Sequence, residues 1–435
     1  MHDTNPPSLL RWEAQQRREA GYDTAQLEAQ IGDVLSARPL DPERITALYT
    51  ALTSTLRRPD WPYIEPDDLA TIMDSLPTSS PAAAPEAAVL SDQLLGAWAG
   101  RCAGCNLGKP IELGDYWTVE HIREYLEIAE AWPLDDYVPA LDPMPQGFEL
   151  RACWTATTRG NVVASARDDD IDYAMLALHV LETYGRGYTT ADVAREWLDR
   201  LPYTQTYTAE RAAYRNLINE LDIPAVGGMN NPYREWVGAQ IRADVYGYVN
   251  PGDPRSAATL AYQDAVLSHR ANGIYGEMWA AALVDAAITA DGARAAVVES
   301  LRHIPPTSRL HEALTGVLAL HERGHTWESA RQTIGEQLGH YNWVHTIPNA
   351  ALVTAGVLWG GGDFTQTIAL TVTGGWDTDS NGATAGSVAG ILTGANRIPA
   401  QWIAPLNDTV RSSLAGFDGV RISDLASRTH ALTRG

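Results

Sequence analysis

Glycines stand at positions 96, 100, 104 and 108, and again at 382, 386, 390 and 394. A four-residue spacing places each set on one face of a helix. Each glycine weakens a helix by about 1 kcal/mol relative to alanine, so a stripe of them makes sense where another backbone must come close. The two stripes therefore predict two helices crossing in direct contact. Small-residue stripes also pack helices in membranes, but Arg101 and Lys109 lie within or beside the first one, and no apolar run in the chain is long enough to span a bilayer. The pair is read as part of a water-soluble core, for which 435 residues at 45 % hydrophobic content give ample material.

The rest of the chain reads as helices. Residues 116–131, 190–200, 256–269, 274–290, 293–303, 308–323 and 326–338 have helical period or composition, punctuated by proline and glycine. The stretch from Tyr233 to Pro254 reads partly as a loop. No row of alternating strands and no glycine-rich phosphate loop after a strand is present, so the expected fold class is all-α, a compact multi-helix bundle. Residues 1–7 are expected to lack order. Short amphipathic helices follow from Ser8 to about Leu76. One runs through Leu9, Leu10 and Trp12 and stops near Gly21; another opens on Asp41-Pro42, where proline suits the first turn, and carries Ile45, Leu48, Tyr49 and Leu52. Thr78-Ser79-Ser80-Pro81-Ala82-Ala83-Ala84-Pro85 has linker composition. Residues 1–90 are accordingly read as a helical extension with its linker, packing on the body or on a partner chain, and 91–435 as the catalytic domain.

Chemistry concentrates in two acidic motifs. Asp168-Asp169-Asp170 precedes Ile171, Ala174, Met175 and Leu178, an apolar helical face. One aspartate would cap that helix and meet its dipole; three adjacent carboxylates repel one another unless something positive neutralises them. Gly374-Gly375-Trp376-Asp377-Thr378-Asp379-Ser380-Asn381 opens another helix, the second striped one. Two acidic helix starts suggest a shared metal site, with plain capping as the alternative reading. Asp168, Asp169, Asp170, Asp377, Asp379 and Ser380 offer oxygen donors only, which suits Mg²⁺, Mn²⁺ or Ca²⁺ rather than zinc. Their number suits two ions, roughly 3.5–4 Å apart in such sites. If the stripes touch near the end of the first, Glu112, just beyond it, joins the second cluster.

Charge narrows the partners. With 32 basic and 54 acidic residues the formal net charge is -22, which repels phosphate backbones and anionic membranes, so neither nucleic acid nor membrane is an expected partner. The three cysteines, Cys102, Cys105 and Cys153, form no disulfide framework. Cys102-x-x-Cys105 has no second pair to complete a zinc site and is read as small residues in a packed helix, with redox or metal use as the alternative. The N-terminus shows no apolar signal core, so a cytoplasmic location is expected.

The stretch from Gly96 to Glu112, the Asp168-Asp169-Asp170 helix, and Gly374 to Gly386 resemble, in order, the three signatures of the ADP-ribosylglycohydrolase family. Ser268-His269 with Gly273 and Gly276 is similar to that family's middle segment, and Ile398-Pro399-Ala400-Gln401-Trp402 to its ending. The resemblance covers about residues 91–410. It implies an all-α hydrolase with two Mg²⁺ or Mn²⁺ ions, cleaving a bond at the anomeric carbon of an ADP-ribosyl group on a protein or on a small molecule. It also implies metal ligands at Asp168, Asp169, Asp170, Asp377, Asp379 and Ser380, a carboxylate near the metals at Glu112, and Asp169 or Glu112 as the base that takes a proton from water. Gly227 and Gly228 would approach the substrate phosphates, and His269 would touch ribose or diphosphate unless it is simply a satisfied histidine.

Two departures bear on specificity. Asp168 stands where the family has threonine or serine, which adds a negative charge and could favour Mn²⁺ or Ca²⁺. Trp376, inserted between Gly375 and Asp377, either stacks on a base or sugar or packs in the core. Three other readings stay open: a hydrolase of a small nucleoside or nucleotide-sugar, a non-enzymatic binder of an ADP-ribose-like ligand, and a phosphohydrolase using the same kind of metal pair.

Overall fold

A computed structural model describes residues 4–433. Eight helices carry the argument. They are α1 (Pro6–Glu19), α2 (Ala25–Ser36), α3 (Pro42–Thr53), α4 (Ala87–Gly108), α5 (Asp169–Tyr184), α6 (Asn272–Thr289), α7 (Thr346–Gly360) and α8 (Thr378–Thr393). The fold is all-α; among the described residues, β structure is limited to isolated bridges. The expected helices at 190–200, 308–323 and 326–338 appear as Thr190–Arg200, Arg309–Glu322 and Trp327–Leu338.

The most extensive helix contact in the molecule joins α4 and α8. A methyl group added at Gly96, Gly100 or Gly104 would collide with the carbonyl of Gly390, Gly386 or Gly382, and additions at those three would collide with Gly96, Gly100 and Gly104 in return. Gly108 meets Thr378 in the same way. The pairing runs antiparallel, backbone on backbone, with no space for any side chain. Gly394 lies outside the seam: with φ +76 it ends α8, a conformation that suits glycine.

This seam decides where the chemistry sits. Antiparallel crossing brings the C-terminal end of α4, and Lys109 and Glu112 beyond it, to the first turn of α8. Thr378 Oγ1 donates to the Gly108 carbonyl at 2.8 Å, pinning the two ends together. Arg101 of α4, fully buried, donates to the Asp170 carbonyl from Nε at 3.1 Å and Nη2 at 2.7 Å, tying in the start of α5. The wholly buried α6 and α7 supply the surrounding core.

Helix α1 starts at Pro6, capped by Asn5, whose side chain accepts from Ser8 N at 3.0 Å. Order thus begins inside the 1–7 stretch expected to lack it, because proline at a first turn costs no hydrogen bond; residues 1–3 lie outside the described residues. Helices α1, α2 and α3 share a small apolar core of Leu10, Ala14, Ile31, Val34, Ile45, Leu48 and Leu52. Buried carboxylates of the extension, Glu13 on α1 and Glu65 beyond α3, reach into the body. Glu13 takes both Arg234 amines at 2.7 and 3.1 Å, and Glu65, entirely buried at its side chain, takes Arg309 Nε at 2.9 Å and Asn272 Nδ2 at 2.8 Å. The proline- and alanine-rich stretch is held down as well: Ala82 N donates to Gly252 O at 2.8 Å and Arg302 to Thr78 O at 2.7 Å.

The segment from Tyr233 to Pro254 differs from an ordinary loop. It is almost wholly buried and coils through short turns at Gln240–Arg242 and Asp244–Tyr248. Its charged side chains are paired: Arg242 pairs with Glu210 at 2.8 Å and also contacts Asp264, while Asp244 takes Arg101 at 2.7 Å.

Candidate active site

Three chain segments deliver carboxylates to one place. The first is the start of α5. Asp168 is the N-cap, its Oδ1 accepting from Asp170 N at 2.9 Å, so the capping role falls to this residue. Its other oxygen contacts Lys109 Nζ, which answers the additional charge that aspartate brings here. The second segment is the start of α8. The third is the turn after α4, which carries Glu112. Oxygens of Glu112, Asp377 and Asp379 lie within 4.8 Å of one another, as do those of Asp168 and Asp170 with Cys105 Sγ. The groups meet through Ser380, whose hydroxyl donates to Asp170 Oδ2 at 3.1 Å. Asn349 of α7 braces the second segment, accepting from Asp377 N at 3.2 Å and Asn381 Nδ2 at 2.7 Å.

Crowding raises the proton affinity of these acids. Burial and then Asp379 push Glu112 up to about 8, with Arg151 and Lys109 opposing. Asp170 and Asp377 are driven well above the carboxylate range by burial and then by Asp379. Half-buried Asp169 is also raised, by burial and Asp379 against the pull of Arg167 and Lys109. Asp170 Oδ1 is buried and accepts no hydrogen bond. An all-oxygen donor set with an orphaned carboxylate oxygen and a surplus of negative charge fits hard divalent ions. The Cys105 thiol, pushed well up by burial and Asp170, is no ready thiolate.

Lys109 and Glu112 open into a cavity of about 470 Å³ walled by Tyr116, Trp117, Leu150 and Arg151. The Arg151 guanidinium lies 3.4 Å from Glu112. The volume is within the usual range for a small-molecule pocket, and the wall offers an aromatic surface beside two cations.

Residues matching 86–435 fit the sequence profile described as ADP-ribosylglycohydrolase. The chain belongs to the ADP-ribosylglycohydrolase family. That family supports hydrolysis of ADP-ribosyl-type glycosidic bonds as the activity class. A solved structure described as an ADP-ribosylglycohydrolase-related protein complex is similar at 18% identity with a TM-score of 0.45, over 79% of this chain and 98% of its own. No curated protein matches the chain.

The other expected site residues lie elsewhere. Gly227 and Gly228 follow the short helix Ile223–Val226; Gly227 packs on Arg270, and Gly228 lines a cavity of about 910 Å³ between the α1–α3 extension and the body. His269 is fully buried in the Arg242 network, its Nδ1 2.8 Å from Ser268 Oγ and its Nε2 3.8 Å from Glu210; burial and then Arg242 hold its pKa well below the ordinary value. The Trp376 ring lies under the Arg331 guanidinium, 4.2 Å from it, in a cavity lined by other residues than the Glu112 one. Sequence reading overlooked the cations. Lys109 and Arg101 served there only to exclude a membrane helix, yet an isolated lysine three residues before a candidate carboxylate is itself a signal of charge pairing. No helix among the described residues is long and apolar enough to cross a membrane.

Proposed function

We propose that the chain is a metal-dependent glycohydrolase that cleaves a ribosyl bond at the anomeric carbon, on an ADP-ribosyl or ADP-ribose-like substrate. The observation that carries this reading is the meeting of Glu112, Asp377 and Asp379 with Asp168 and Asp170, through Ser380, beside a cavity of nucleoside size. Asp168, Asp169, Asp170, Asp377, Asp379 and Ser380 would hold two ions, Mg²⁺ or Mn²⁺ in preference and Ca²⁺ as a further candidate. When bound, such ions polarise water and neutralise substrate oxygens.

The chain's own groups supply the rest. Glu112, with its proton affinity raised to about 8, is poised to hold or release a proton near neutral pH. Asp169 is the alternative base. Glycosidic cleavage passes through a transition state resembling an oxocarbenium ion, and the carboxylates surrounding the anomeric carbon favour its positive charge. Tyr116, half-buried at the cavity wall, offers a surface for a ring, and Arg151 and Lys109 offer donors for hydroxyls or phosphate oxygens.

The test is direct. Full-length protein with Mg²⁺ or Mn²⁺ is incubated with ADP-ribosylated proteins, ADP-ribose derivatives and nucleosides, and products are identified by mass. Free ribosyl products that vanish with EDTA, together with an Asp377→Ala protein that stays folded but binds fewer ions, support the reading. Hydrolysis persisting without any divalent ion refutes it. A second reading, a hydrolase of small nucleosides or nucleotide-sugars, draws on the modest volume of the Glu112 cavity. In that case the small substrates in the panel turn over and the protein conjugates do not.

A further inference from the structure

Behind the Gly374–Asp377 loop lies a second cavity, of about 680 Å³, lined among others by Trp132, Trp327, Arg331 and Trp376. Arg331 sits in the helix Trp327–Leu338. Its Nε donates to Gly374 O at 2.6 Å, and its guanidinium carbon lies over the Trp376 ring, 4.2 Å from the centroid. Its two terminal nitrogens make no hydrogen bond, and no carboxylate among the described residues comes within ion-pair distance. Four other arginines differ: Arg101, Arg234, Arg242 and Arg309 each hold a carboxylate at 2.7–2.9 Å. Arg331 is half-buried, its terminal nitrogens facing the open cavity, and burial, opposed by Glu120, pulls it down to about 10. The cavity's own carboxylates, Glu120, Glu328 and Glu336, are exposed and stand in water. Trp132 is 37% exposed at the cavity wall, with Arg123 5.2 Å from its ring.

We propose that this cavity is a binding site for a small oxyanion carrying a planar ring, the oxyanion received by the Arg331 terminal nitrogens and the ring by the Trp132 and Trp327 faces. Guanidinium forks match carboxylate and phosphate oxygens alike, so both chemistries belong to the class. The site has a route to the acidic centre. Arg331 grips Gly374, and Trp376, in left-handed backbone at φ +59 after Gly375 at φ +82, directly precedes Asp377. An occupant would stiffen the loop that sets this carboxylate.

Calorimetry on the full chain in EDTA tests the site with three probes: phenyl phosphate, benzoate and inorganic phosphate. Phenyl phosphate or benzoate is expected to bind one to one, whichever is tighter naming the oxyanion, with inorganic phosphate about tenfold weaker for want of stacking. Arg331→Gln should weaken the aromatic probe about tenfold or more, and Arg331→Lys less. Should Arg331→Gln fail to fold, Trp132→Ala, changed at an exposed position, should still weaken the aromatic probe several-fold. The proposal is overturned if no probe binds more tightly than about 10 mM, if the folded variants bind like the parent, or if binding appears only with added Mg²⁺. Because the readout is binding without metal, its failure leaves the glycohydrolase reading untouched, and the loss of that reading leaves this site standing.

Discussion

Two buried charge clusters face the same electrostatic problem and solve it differently. Where the α1–α3 extension meets the body, Glu13, Glu65 and Glu235 face Arg17, Arg234 and Arg309, with nitrogen–oxygen distances of 2.6–2.9 Å. Each carboxylate there has its cation. At the acidic centre six carboxylates, Asp168, Asp169, Asp170, Asp377, Asp379 and Glu112, meet fewer cations: Lys109 on Asp168, Arg151 at the edge of Glu112, Arg167 near Asp169, and Arg101, which lies 3.8 Å from Asp170 but gives its short bonds to a backbone carbonyl and to Asp244. A balanced cluster is complete and holds surfaces together. An unbalanced one leaves repulsion that added cations could relieve.

The contrast can be broken by substitution. The largest effect is expected at the centre. Asp379→Asn should lower kcat/KM on the order of a thousandfold, while the melting temperature of the metal-free protein holds or rises, because a repelling charge has been removed. A matching loss of stability would mean that the cluster is structural after all. At the junction the signs reverse. Arg309→Met strands Glu65 and Glu235 and should cost about 3–5 kcal/mol in urea unfolding, with hydrolysis by the folded fraction retained. A smaller effect distinguishes the ligands. Asp168→Ser keeps a helix cap and removes one charge, and should weaken Mn²⁺ binding about tenfold, read by calorimetry.

The smallest effect is a slope. Glu112, Asp170 and Asp377 titrate above their ordinary values in the folded chain, so it binds more protons than the unfolded one above the ordinary carboxylate range, for Glu112 up to about pH 8. That contribution is fully present only below the ordinary carboxylate range and is lost progressively as pH rises from there through the folded value. The chelated protein should therefore melt lower at pH 8.5 than at pH 6, and excess Mg²⁺ should flatten the difference. A chelated protein that grows more stable over the same interval would remove the case for repulsion.

Much of this was legible in the sequence because it rests on period and spacing. The glycine stripes announced a backbone-to-backbone crossing, and that crossing is what brings Glu112 to Asp377. Helix spans followed from apolar recurrence. What spacing does not reveal is which cation answers which acid. Nothing local in the sequence joins Lys109 to Asp168, Arg309 to Glu65 or Arg331 to Trp376; each pairing is made by helices that meet only after folding. The same blindness applies to Gly227, Gly228 and His269, whose neighbours are set by the buried coil from Tyr233 to Pro254, which has no periodic pattern, and by the extension, whose helical period does not say where it docks.

The interlocked glycines of α4 and α8 also act as a vernier. Each notch already holds an opposing carbonyl, and sliding one helix past the other by a single residue would set side chains against those carbonyls, so the pair admits one alignment. Glu112 hangs from one end of that scale and Asp377 from the facing end of the other. Their separation is thereby gauged by main chain alone, and side-chain replacements elsewhere in the core can drift without moving the zero.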